Sequence, residues 1–294
     1  MLTGILLLVF SAAEAFPREL VDFAPYEKNP IFEGRGSGYW DELIRERGWI
    51  LREEDTFHLW YTGYDSKSGV MKLGYATSPD GIRWTRYAQN PIYSKNWVED
   101  VMIVKVGATY YMFAEGINDR AQWLTSTDRI HWTRQGLLDV HLAGGDPLPE
   151  GAYGTPTAWY EDGTWYLFYE RNNDQAVWLA TSKDLRTWTN VQDEPVLRPG
   201  PNDYDRDMIA LDQLIKYKGR YYAYYHGLGP YTDKQNWTTA IAASDDLVHW
   251  EKYAGNPILT NDQSSTMVVP DGSRFRLYSM HPVVRVFFEK TGKK

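Results

Sequence analysis

Carboxylate and imidazole side chains occur at one equivalent position in a series of aromatic-rich segments. The five segments begin at Phe57, Tyr110, Trp165, Tyr221 and Phe275. The sixth residue of each segment is, in chain order, Thr62, Glu115, Glu170, His226 and Met280, and His281 follows the last of them. A carboxylic acid can donate a proton, and a carboxylate or an imidazole can accept one. These positions therefore suit general acid–base chemistry.

A second set of polar residues precedes the same segments. Counting back ten residues from the start of each segment gives Arg47, Asp100, Thr155, Leu211 and Ser265. The acidic residues close to them in sequence are Asp41, Glu99, Asp205, Asp207 and Asp212, and the aromatic ones are Tyr39, Trp40, Trp97, Tyr153 and Tyr204. If a fold gathers these groups in one pocket, one acid can protonate a leaving oxygen while a second group activates water, and the aromatic faces can hold a sugar.

The elements that position these residues form an internal repeat. A Ser-x-Asp-x-x-x-Trp motif begins at Ser78, Ser126, Ser182 and Ser244, a period of roughly 55 residues. Aromatic and β-branched residues before each motif predict strands, and Gly or Asp-Gly turns between them predict hairpins. A unit of this length with three or four strands is typical of a propeller blade.

The two ends of the chain complement each other. A Tyr-x-x-Asn-Pro-Ile motif follows the first and fourth repeats, and a further copy stands alone at Tyr26–Ile31. The last repeat stops after Val284–Phe288 without a final strand. We therefore predict an all-β, five-bladed β-propeller closed by an N-terminal strand near Glu19–Ala24, which pairs beside Val284–Phe288.

Strand alternation in such a blade separates the repeated motifs from the candidate catalytic groups. The starts of the inner strands and the ends of the second strands share one face of the disc, and the Ser-x-Asp turns lie on the other. We therefore predict that the turn aspartates form Asx-type hydrogen bonds and that the motif tryptophans pack between blades. These aspartates are Asp80, Asp128, Asp184 and Asp246.

Composition and charge narrow the class of protein. The chain has 294 residues, 13 Trp, 22 Tyr and a net charge of −8, which argues against nucleic-acid binding. It has no cysteine, which excludes disulfides and thiolate metal sites. Residues 1–15 resemble a signal peptide that ends at Ala13-Glu14-Ala15 and is too short to cross a bilayer. We predict a secreted or periplasmic protein with no membrane insertion and a single catalytic domain over residues 16–294; nothing in the sequence indicates its oligomeric state.

Four features carry a resemblance to known families: the ATSPDGIRW motif that begins at Ala76, the Asn-Pro-Ile segments, the aromatic second strands and Asp100. With these features, the sequence resembles the five-bladed β-propeller glycoside hydrolases. These are families 43, 62 and 117, with families 32, 68 and 130 as wider relatives. The resemblance covers essentially the whole chain after residue 15. It implies a pocket on the propeller axis, and in family 43 an aspartate base on the first blade, a second aspartate on the third and a glutamate acid on the fourth.

The sequence departs from the family 43 pattern in two blades. The third blade has Gly154-Thr155-Pro156 where Asp-Pro is expected, and the fourth has aspartates but no glutamate. Family 117, which pairs aspartates with a histidine acid, suits His226 or His281 better. The resemblance therefore leaves the identity of the acid open.

We expect a secreted glycoside hydrolase, exo-acting and inverting, that removes a terminal sugar from a polysaccharide or oligosaccharide. One alternative is a carbohydrate-binding propeller without catalysis, and another is a family 130-like phosphorylase that uses Arg45, Arg47 and Arg171 to bind phosphate. The difference between equivalent positions from blade to blade favours one asymmetric site over the repeated sites of a lectin.

The candidate site residues follow from these patterns. The catalytic candidates are Asp41 or Asp100 as base, with the acid drawn from Glu170, Glu115 and His226. The predicted substrate-binding residues are Trp40, Arg47, Trp97, Glu99, Tyr153, Thr155, Arg171, Asp207, Asp212 and His281. No metal-ligand motif is present and no cofactor is required, although a divalent cation can be accommodated near the axis.

Overall fold

The computed structural model describes residues 16–148, 150–171, 175–230 and 236–290. Within these ranges the chain forms twenty-one strands in five sheets and three short 3₁₀ helices, Arg18–Leu20, Ile117–Asp119 and Asp203–Asp205. The predicted signal peptide, residues 1–15, lies outside the described residues. No helix in the described part of the chain is long and apolar enough to cross a membrane.

Each sheet is one blade of a propeller. The first strand in the chain is β1 (Phe23–Pro25). Blade I contains β2 (Leu43–Glu53), β3 (Thr56–Tyr64), β4 (Met71–Ser78) and β5 (Thr85–Arg86). Blade II contains β6 (Glu99–Val106), β7 (Thr109–Glu115), β8 (Ala121–Ser126) and β9 (Thr133–Leu137).

The remaining blades follow the same order. Blade III contains β10 (Asp139–His141), β11 (Tyr153–Glu161), β12 (Thr164–Glu170), β13 (Val177–Ser182) and β14 (Thr187–Asn190). Blade IV contains β15 (Met208–Tyr217), β16 (Arg220–Leu228), β17 (Trp237–Ser244) and β18 (Trp250–Lys252). Blade V contains β19 (Thr266–Asp271), β20 (Arg274–Ser279), β21 (Arg285–Glu289) and β1. Strand β10 pairs in parallel with β14 at the outer edge of blade III.

The ring is closed as predicted. The inner strands β2, β6, β11, β15 and β19 contact one another in sequence, and β19 contacts β2. Strand β1 pairs antiparallel with β21, with Phe23 opposite Glu289 and Pro25 opposite Phe287. The closing strand begins later than predicted, because Arg18–Leu20 forms a 3₁₀ turn whose Leu20 is fully buried. Closure leaves no open edge between the first and last blades.

The Asn-Pro-Ile motif holds a segment against the third strand of a blade. In blade I the amide of Asn90 donates to the carbonyl oxygen of Tyr75 at 2.8 Å and accepts from its N–H at 2.9 Å. Asn256 bonds to both backbone groups of Ile241 in the same way. The solitary N-terminal copy does so with Val286, where Asn29 extends the closing blade. Each asparagine side chain therefore replaces one backbone pair of the β-ladder.

The Ser-x-Asp turns are structural, as predicted. The hydroxyl of Ser78 accepts from the backbone N–H groups of Asp80 and Gly81, and the Asp80 carboxylate accepts from those of Ile82 and Arg83. The other three turns repeat this pattern. The tryptophans that follow pack on the preceding blade, with ring pairs Trp132–Trp60, Trp188–Phe113 and Trp250–Phe168.

Candidate active site

A cavity of about 550 Å³ opens on the face where the inner strands begin and the second strands end. Its walls come from the first four blades and the start of the fifth. The predicted site residues that line it are Trp97, Glu99, Asp100, Glu115, Tyr153, Thr155, Glu170, Arg171 and His226. The cavity also contains six carboxyl groups, those of Glu46, Glu99, Asp100, Glu115, Asp119 and Glu170.

A bulge at the start of the inner strand in blades I to IV sets which residues of these blades face the cavity. The pairing of β2 with β3, β6 with β7, β11 with β12 and β15 with β16 shifts near the point where the inner strand meets the cavity. In four blades one residue near this point has a positive φ and lines the cavity: Glu46 (51°), Asp100 (48°), Gly154 (65°) and Ser265 (53°). Three of these are non-glycine residues in a sparsely populated conformation, which is common at functional sites.

This register corrects the sequence alignment of the inner strands by one residue in two blades. Counting from the second strands had placed Arg47 and Thr155 beside Asp100, whereas Glu46 and Gly154 occupy that position. The alignment of the second strands is as predicted, since Thr62, Glu115 and Glu170 face Arg45, Glu99 and Tyr153 across the pairs.

Arg47 closes the bottom of the cavity. Its side chain is completely buried, so the prediction that it contacts substrate is not supported by its position. The guanidinium donates to the hydroxyl of Thr157 at 2.7 Å and to backbone carbonyl oxygens on the inner strands of blades II, III and IV. These are the oxygens of Asp100 (2.6 Å), Pro156 (2.7 Å), Asp212 (2.8 Å) and Leu211 (3.1 Å). A cation on the axis therefore joins blades I to IV beneath the cavity.

Asp100 lies directly above this cation. Its Oδ1 accepts the backbone N–H of Arg47 at 3.1 Å, and its carbonyl oxygen accepts the guanidinium. Burial and the nearby Glu46 raise the pKa of Asp100 to about 6, although Arg47 and His226 act in the opposite direction. Asp100 is therefore a carboxylate that changes protonation near neutral pH.

Glu99 and Glu115 face each other across β6 and β7. Burial and the neighbouring Asp100 and Glu46 raise the pKa of Glu99 to about 8, and Trp97 donates its indole N–H to the same carboxyl at 2.9 Å. Burial raises the pKa of Glu115 well above its ordinary value, with the charges of Asp100 and Glu99 adding to the effect. Both side chains are carboxylic acids that favour the protonated form.

Glu170 projects from the end of β12 across a glycine. Its Oε1 accepts the backbone N–H of Thr155 at 2.9 Å. A Cβ on Gly154 would collide with the Glu170 carboxyl group, so the absence of a side chain there makes room for it. Burial raises the pKa of Glu170 to about 7, against the Thr155 hydrogen bond and the positive charge of His226. Glu170 is thus a half-buried group that can donate a proton near neutral pH.

His226 is held by Asp212 behind the cavity wall. Its Nδ1 lies 2.7 Å from Asp212 Oδ1, and Asp212 Oδ2 accepts the backbone N–H of Thr266 at 2.9 Å. Burial disfavours the imidazolium, but the Asp212 carboxylate outweighs it and the pKa of His226 rises to about 9. The edge of the ring meets Trp237, with centroids 5.1 Å apart. Asp212 is fully buried, so it orients His226 and does not contact substrate.

Glu46 connects the cavity to His281. The side chain of Arg45 donates to Glu46 Oε1 at 2.9 Å, and His281 Nδ1 lies 3.2 Å from Glu46 Oε2. Burial opposes ionisation of Glu46, but these two partners hold its pKa at about 2. His281 itself does not line the cavity. Its predicted role in substrate binding is therefore replaced by a contact with Glu46.

Arg171 lines the opposite wall of the cavity. Its guanidinium is bonded to Glu150 and lies 4.8 Å from the Trp178 ring centroid. Tyr153 lies in the same wall, and its ring is 5.2 Å from the Arg120 guanidinium. The positive charge of Arg171 is therefore partly neutralised before any ligand enters.

Asp41 does not line the cavity and is not placed to act as the base. It is fully buried, and its carboxylate accepts from Arg35 at 2.5 Å, Arg86 at 3.0 Å and the hydroxyl of Tyr61 at 3.1 Å. Blade IV repeats this arrangement, because Asp205 binds Lys252 at 2.5 Å and Tyr225 at 3.1 Å. The repetition identifies a brace between a blade and its linker.

Two other predicted binding residues also lie outside the cavity lining. Trp40 stacks on Tyr61, with ring centroids 5.8 Å apart, and a Cβ on Gly63 would collide with it. Asp207 lies beside Arg206, with its Oδ1 3.3 Å from the guanidinium. Neither residue is placed to contact a ligand in the cavity.

No group of three or more His, Asp or Glu side chains in the described part of the chain could hold a metal ion. The guanidinium of Arg47 already places a positive charge on the axis, where the sequence had suggested room for a divalent cation.

Sequence reasoning missed several residues of the cavity wall: Glu46, Tyr64, Asp119, Gln175, Met208 and Trp237. Glu46 was hidden by the bulge, which shifts the register by one residue. Asp119 and Gln175 lie in connections between strands, where no repeat fixes their position. Trp237 is the first residue of β17, which pairs with the end of β16. Because His226 was predicted near the end of β16, its position could have located Trp237 as well.

Known proteins share parts of this chain's sequence. A family model described as the glycosyl hydrolases family 32 N-terminal domain matches residues 154–276. A 1,2-beta-oligomannan phosphorylase of Thermoanaerobacter sp. (strain X514) is 28% identical over 217 residues, which cover 67% of this chain and 69% of that protein.

Solved structures match nearly the whole chain. A candidate glycoside hydrolase from Parabacteroides distasonis ATCC 8503 has a TM-score of 0.79 at 18% identity, covering 96% of this chain and 99% of its own. The chain has the fold of the five-bladed β-propeller glycoside hydrolases. A further structure comes from the GH130 family of mannoside phosphorylases, which contains glycoside hydrolases that target beta-1,2 mannosidic linkages in Candida mannan. Its TM-score is 0.73 at 15% identity, with coverage of 92% and 95%. At these identities the structural likeness concerns the fold of the glycoside hydrolase propeller.

Proposed function

We propose that this protein is a glycoside hydrolase that removes a terminal sugar with inversion of configuration. The observation that carries the proposal is the gathering of buried and half-buried carboxyl groups of different pKa in one cavity on the axis. Arg47 and its hydrogen bonds close that cavity at the bottom. A sugar chain therefore cannot pass through the ring, which favours attack on a chain end.

The base in this proposal is Asp100, and the acid is Glu170 or Glu115. Between about pH 6 and 7, Asp100 is at least half ionised because its pKa is about 6, and Glu170 is at least half protonated because its pKa is about 7. The pKa of Glu115 lies well above its ordinary value, so this group also favours the protonated form. Asp100 accepts a proton from water, whose oxygen attacks the anomeric carbon. The bond to the leaving oxygen breaks, and the acid protonates that oxygen. Such a pair needs carboxyl groups about 6.5–9.5 Å apart, to leave room for the water.

His226 is a third candidate for the acid. Its imidazolium is held by Asp212 and has a pKa of about 9, so it is protonated over the same pH range. A cation at this wall also attracts the carboxylates of Asp100 and Glu170. We assign it first as a charge partner of these groups, because an acid with a pKa of about 9 gives up its proton less readily than Glu170.

The proposed substrate class is a β-1,2-linked mannoside. Its support is the 28% identity to a 1,2-beta-oligomannan phosphorylase and the likeness to a family that targets beta-1,2 mannosidic linkages. Trp97, Tyr153 and Trp237 line the cavity and offer aromatic faces to the terminal sugar.

Phosphorolysis is the second candidate, because a relative that is 28% identical is a 1,2-beta-oligomannan phosphorylase. A phosphate dianion needs cationic partners, and the charges that line the cavity disfavour it. Arg45 is paired with Glu46, Arg171 is paired with Glu150, and six carboxyl groups share the space. Water, which is uncharged, enters such a site at lower cost than phosphate.

Activity on β-1,2-mannobiose and longer β-1,2-mannooligosaccharides, with and without phosphate, tests the proposal. Hydrolysis predicts free mannose at an undiminished rate without phosphate, and phosphorolysis predicts mannose 1-phosphate only when phosphate is present. Asp100→Asn and Glu170→Gln should each lower kcat about 100-fold or more, the typical contribution of general acid–base catalysis. Asp55→Asn, an exposed carboxyl in the hairpin on the opposite face, is the matched control.

The proposal fails if the parent cleaves no member of a wider panel of glycosides, or if both variants stay within threefold of the parent. Sugar binding without cleavage would support the carbohydrate-binding alternative. Secretion, with a mature chain that begins at Phe16, also belongs to the proposal. The mass of the exported protein tests it, because an intact Met1 on cytoplasmic protein would contradict both processing and location.

A further inference from the structure

A second groove, of about 1000 Å³, lies between blades II and III, and it shares no residue with the active-site cavity. One wall is the face of blade II that carries Tyr111, Trp123, Thr125 and Thr133, and the other is the Ser-x-Asp turn of blade III around Leu185. Nothing in the proposed reaction uses it.

The groove exists because blade II lacks an outer cover that other blades have. In blades I and IV an Asn-Pro-Ile segment binds the third strand at Tyr75 and Ile241. In blade II the chain instead leaves β9 and joins the edge of blade III through β10. Trp123 is equivalent to Tyr75 and Ile241, because each of them lies three residues before the turn serine of its blade. Tyr75 and Ile241 are 6% and 0% exposed, whereas Trp123 is half-buried.

The equivalent groove between blades IV and V shows that the space can hold a ligand-sized group. There the chain's own N-terminal segment occupies it. The Phe16 ring lies 6.1 Å from the ring of Tyr222, which is the blade IV equivalent of Tyr111. Phe16 is 5% exposed and Leu20 is fully buried. No described segment plays this part between blades II and III.

The chemistry of this groove suits a neutral carbohydrate, because its charged lining residues, Asp184 and Arg186, are opposite in sign and lie in one turn. The imidazole of His131, which also lines the groove, is paired with Asp128. Tyr111 and Trp123 offer aromatic faces of the kind that stack on sugar rings, and threonine hydroxyls and the amide of Gln135 surround them. Gln135 donates to Thr125 at 2.9 Å. Within the described residues, the Trp123 indole N–H and the Tyr111 hydroxyl make no hydrogen bond, so both remain available to a ligand. A protein segment like Phe16–Leu20 would instead need an apolar wall.

We propose that the groove between blades II and III is a surface binding site for a neutral polysaccharide chain, separate from the active site. The site would keep the enzyme on a polymer while chain ends enter the cavity. The proposal does not depend on the assigned reaction, because binding to this face requires no catalysis.

Affinity electrophoresis in gels that contain mannan, galactomannan or xylan tests this site. The parent and Asp100→Asn should both be retarded by at least one of these polymers. Trp123→Ala should weaken retardation at least about fivefold, the value of one aromatic contact. Thr133→Arg, which fills the groove from an exposed position without touching the core, should do the same. Tyr39→Ala, an aromatic residue 48% exposed elsewhere, is the matched control.

Three outcomes would overturn the site. The first is no retardation of the parent by any of the polymers. The second is unchanged retardation of both groove variants. The third is release of the parent from the polymer by a disaccharide that inhibits the enzyme by binding in the active-site cavity, because this would mean that the polymer binds there. Loss of hydrolysis on every substrate, with retardation intact, would refute the proposed reaction and leave the groove in place.

Discussion

Replacing Asp212 by asparagine should change the pH dependence of this protein more than its shape. The Asp212 carboxylate lies between two donors, with Oδ1 2.7 Å from His226 Nδ1 and Oδ2 2.9 Å from the Thr266 N–H. Asparagine has one oxygen and therefore cannot accept from both. It also removes the charge that raises the pKa of His226 from 6.5 to about 9.

The magnitude follows from that pKa. A rise of about 2.5 units corresponds to about 3 kcal/mol of stabilisation of the imidazolium. Because the pKa of the folded state lies above that of the unfolded state, this stabilisation is fully present below pH 6.5 and is lost as the pH rises through about 9. The Asp212→Asn variant should therefore be less stable than the parent by about 3 kcal/mol at pH 6. At pH 9.5 only the lost hydrogen bond should remain, about 1 kcal/mol.

Chemical denaturation at pH 6 and pH 9.5 measures the difference in stability, and kcat/KM from pH 5 to 10 measures the effect on activity. With Glu170 as the acid and the imidazolium required as its charge partner, activity of the parent falls through about pH 7, where Glu170 loses its proton and His226 is still charged. In the variant this fall should move to pH 6.5 or below. Asp203→Asn, whose side chain is 84% exposed in the same blade, controls for loss of a charge.

Two results would refute this reasoning. An equal loss of stability at both pH values would mean that Asp212 acts only through hydrogen bonds. An unchanged alkaline limb of the kcat/KM profile, together with the expected change in stability, would mean that the charge of His226 has no part in the reaction.

Two further predictions separate braces from catalytic groups. Arg47→Lys should destabilise the protein by about 3 kcal/mol or more and lower its Tm by about 5 °C or more. The reason is that an ammonium group cannot make the five hydrogen bonds of the guanidinium. An unchanged Tm would contradict the role of Arg47 on the axis. Asp41→Asn should cost about 3 kcal/mol in chemical denaturation, because Arg35 and Arg86 lose a buried partner, while kcat stays within threefold. A 100-fold lower kcat at full stability would make Asp41 the base after all.

Much of the fold could be predicted because its signals are local. The hydrogen bonds of each Ser-x-Asp turn lie within five residues of the serine, as between Ser78 and Arg83. The Asn-Pro-Ile motif binds a strand fifteen residues away in sequence, as Asn90 binds Tyr75. Such contacts depend little on the rest of the protein, so their repetition reveals the blades.

The second strands could also be aligned from sequence, and the inner strands could not. Side chains alternate along a regular strand, so the sixth residue of each aromatic segment was placed on the cavity side, as with Glu115 and Glu170. The inner strands contain bulges of unequal size. A single inserted residue reverses which side chains face the cavity, and this moved Arg47 beneath the floor and brought Glu46 into the wall.

By itself, the sequence determined the five-bladed ring, its closure by an N-terminal strand and the face on which acidic groups gather, because each depends on periodic patterns and short-range hydrogen bonds. Only the tertiary structure decided which acids share the cavity. Asp41 and Asp100 are both aspartates near the start of a blade, yet one is neutralised by two arginines and the other lies among carboxyl groups that raise its pKa. That difference is set by residues far apart in the chain, since burial and charge depend on the packing of several blades around one axis.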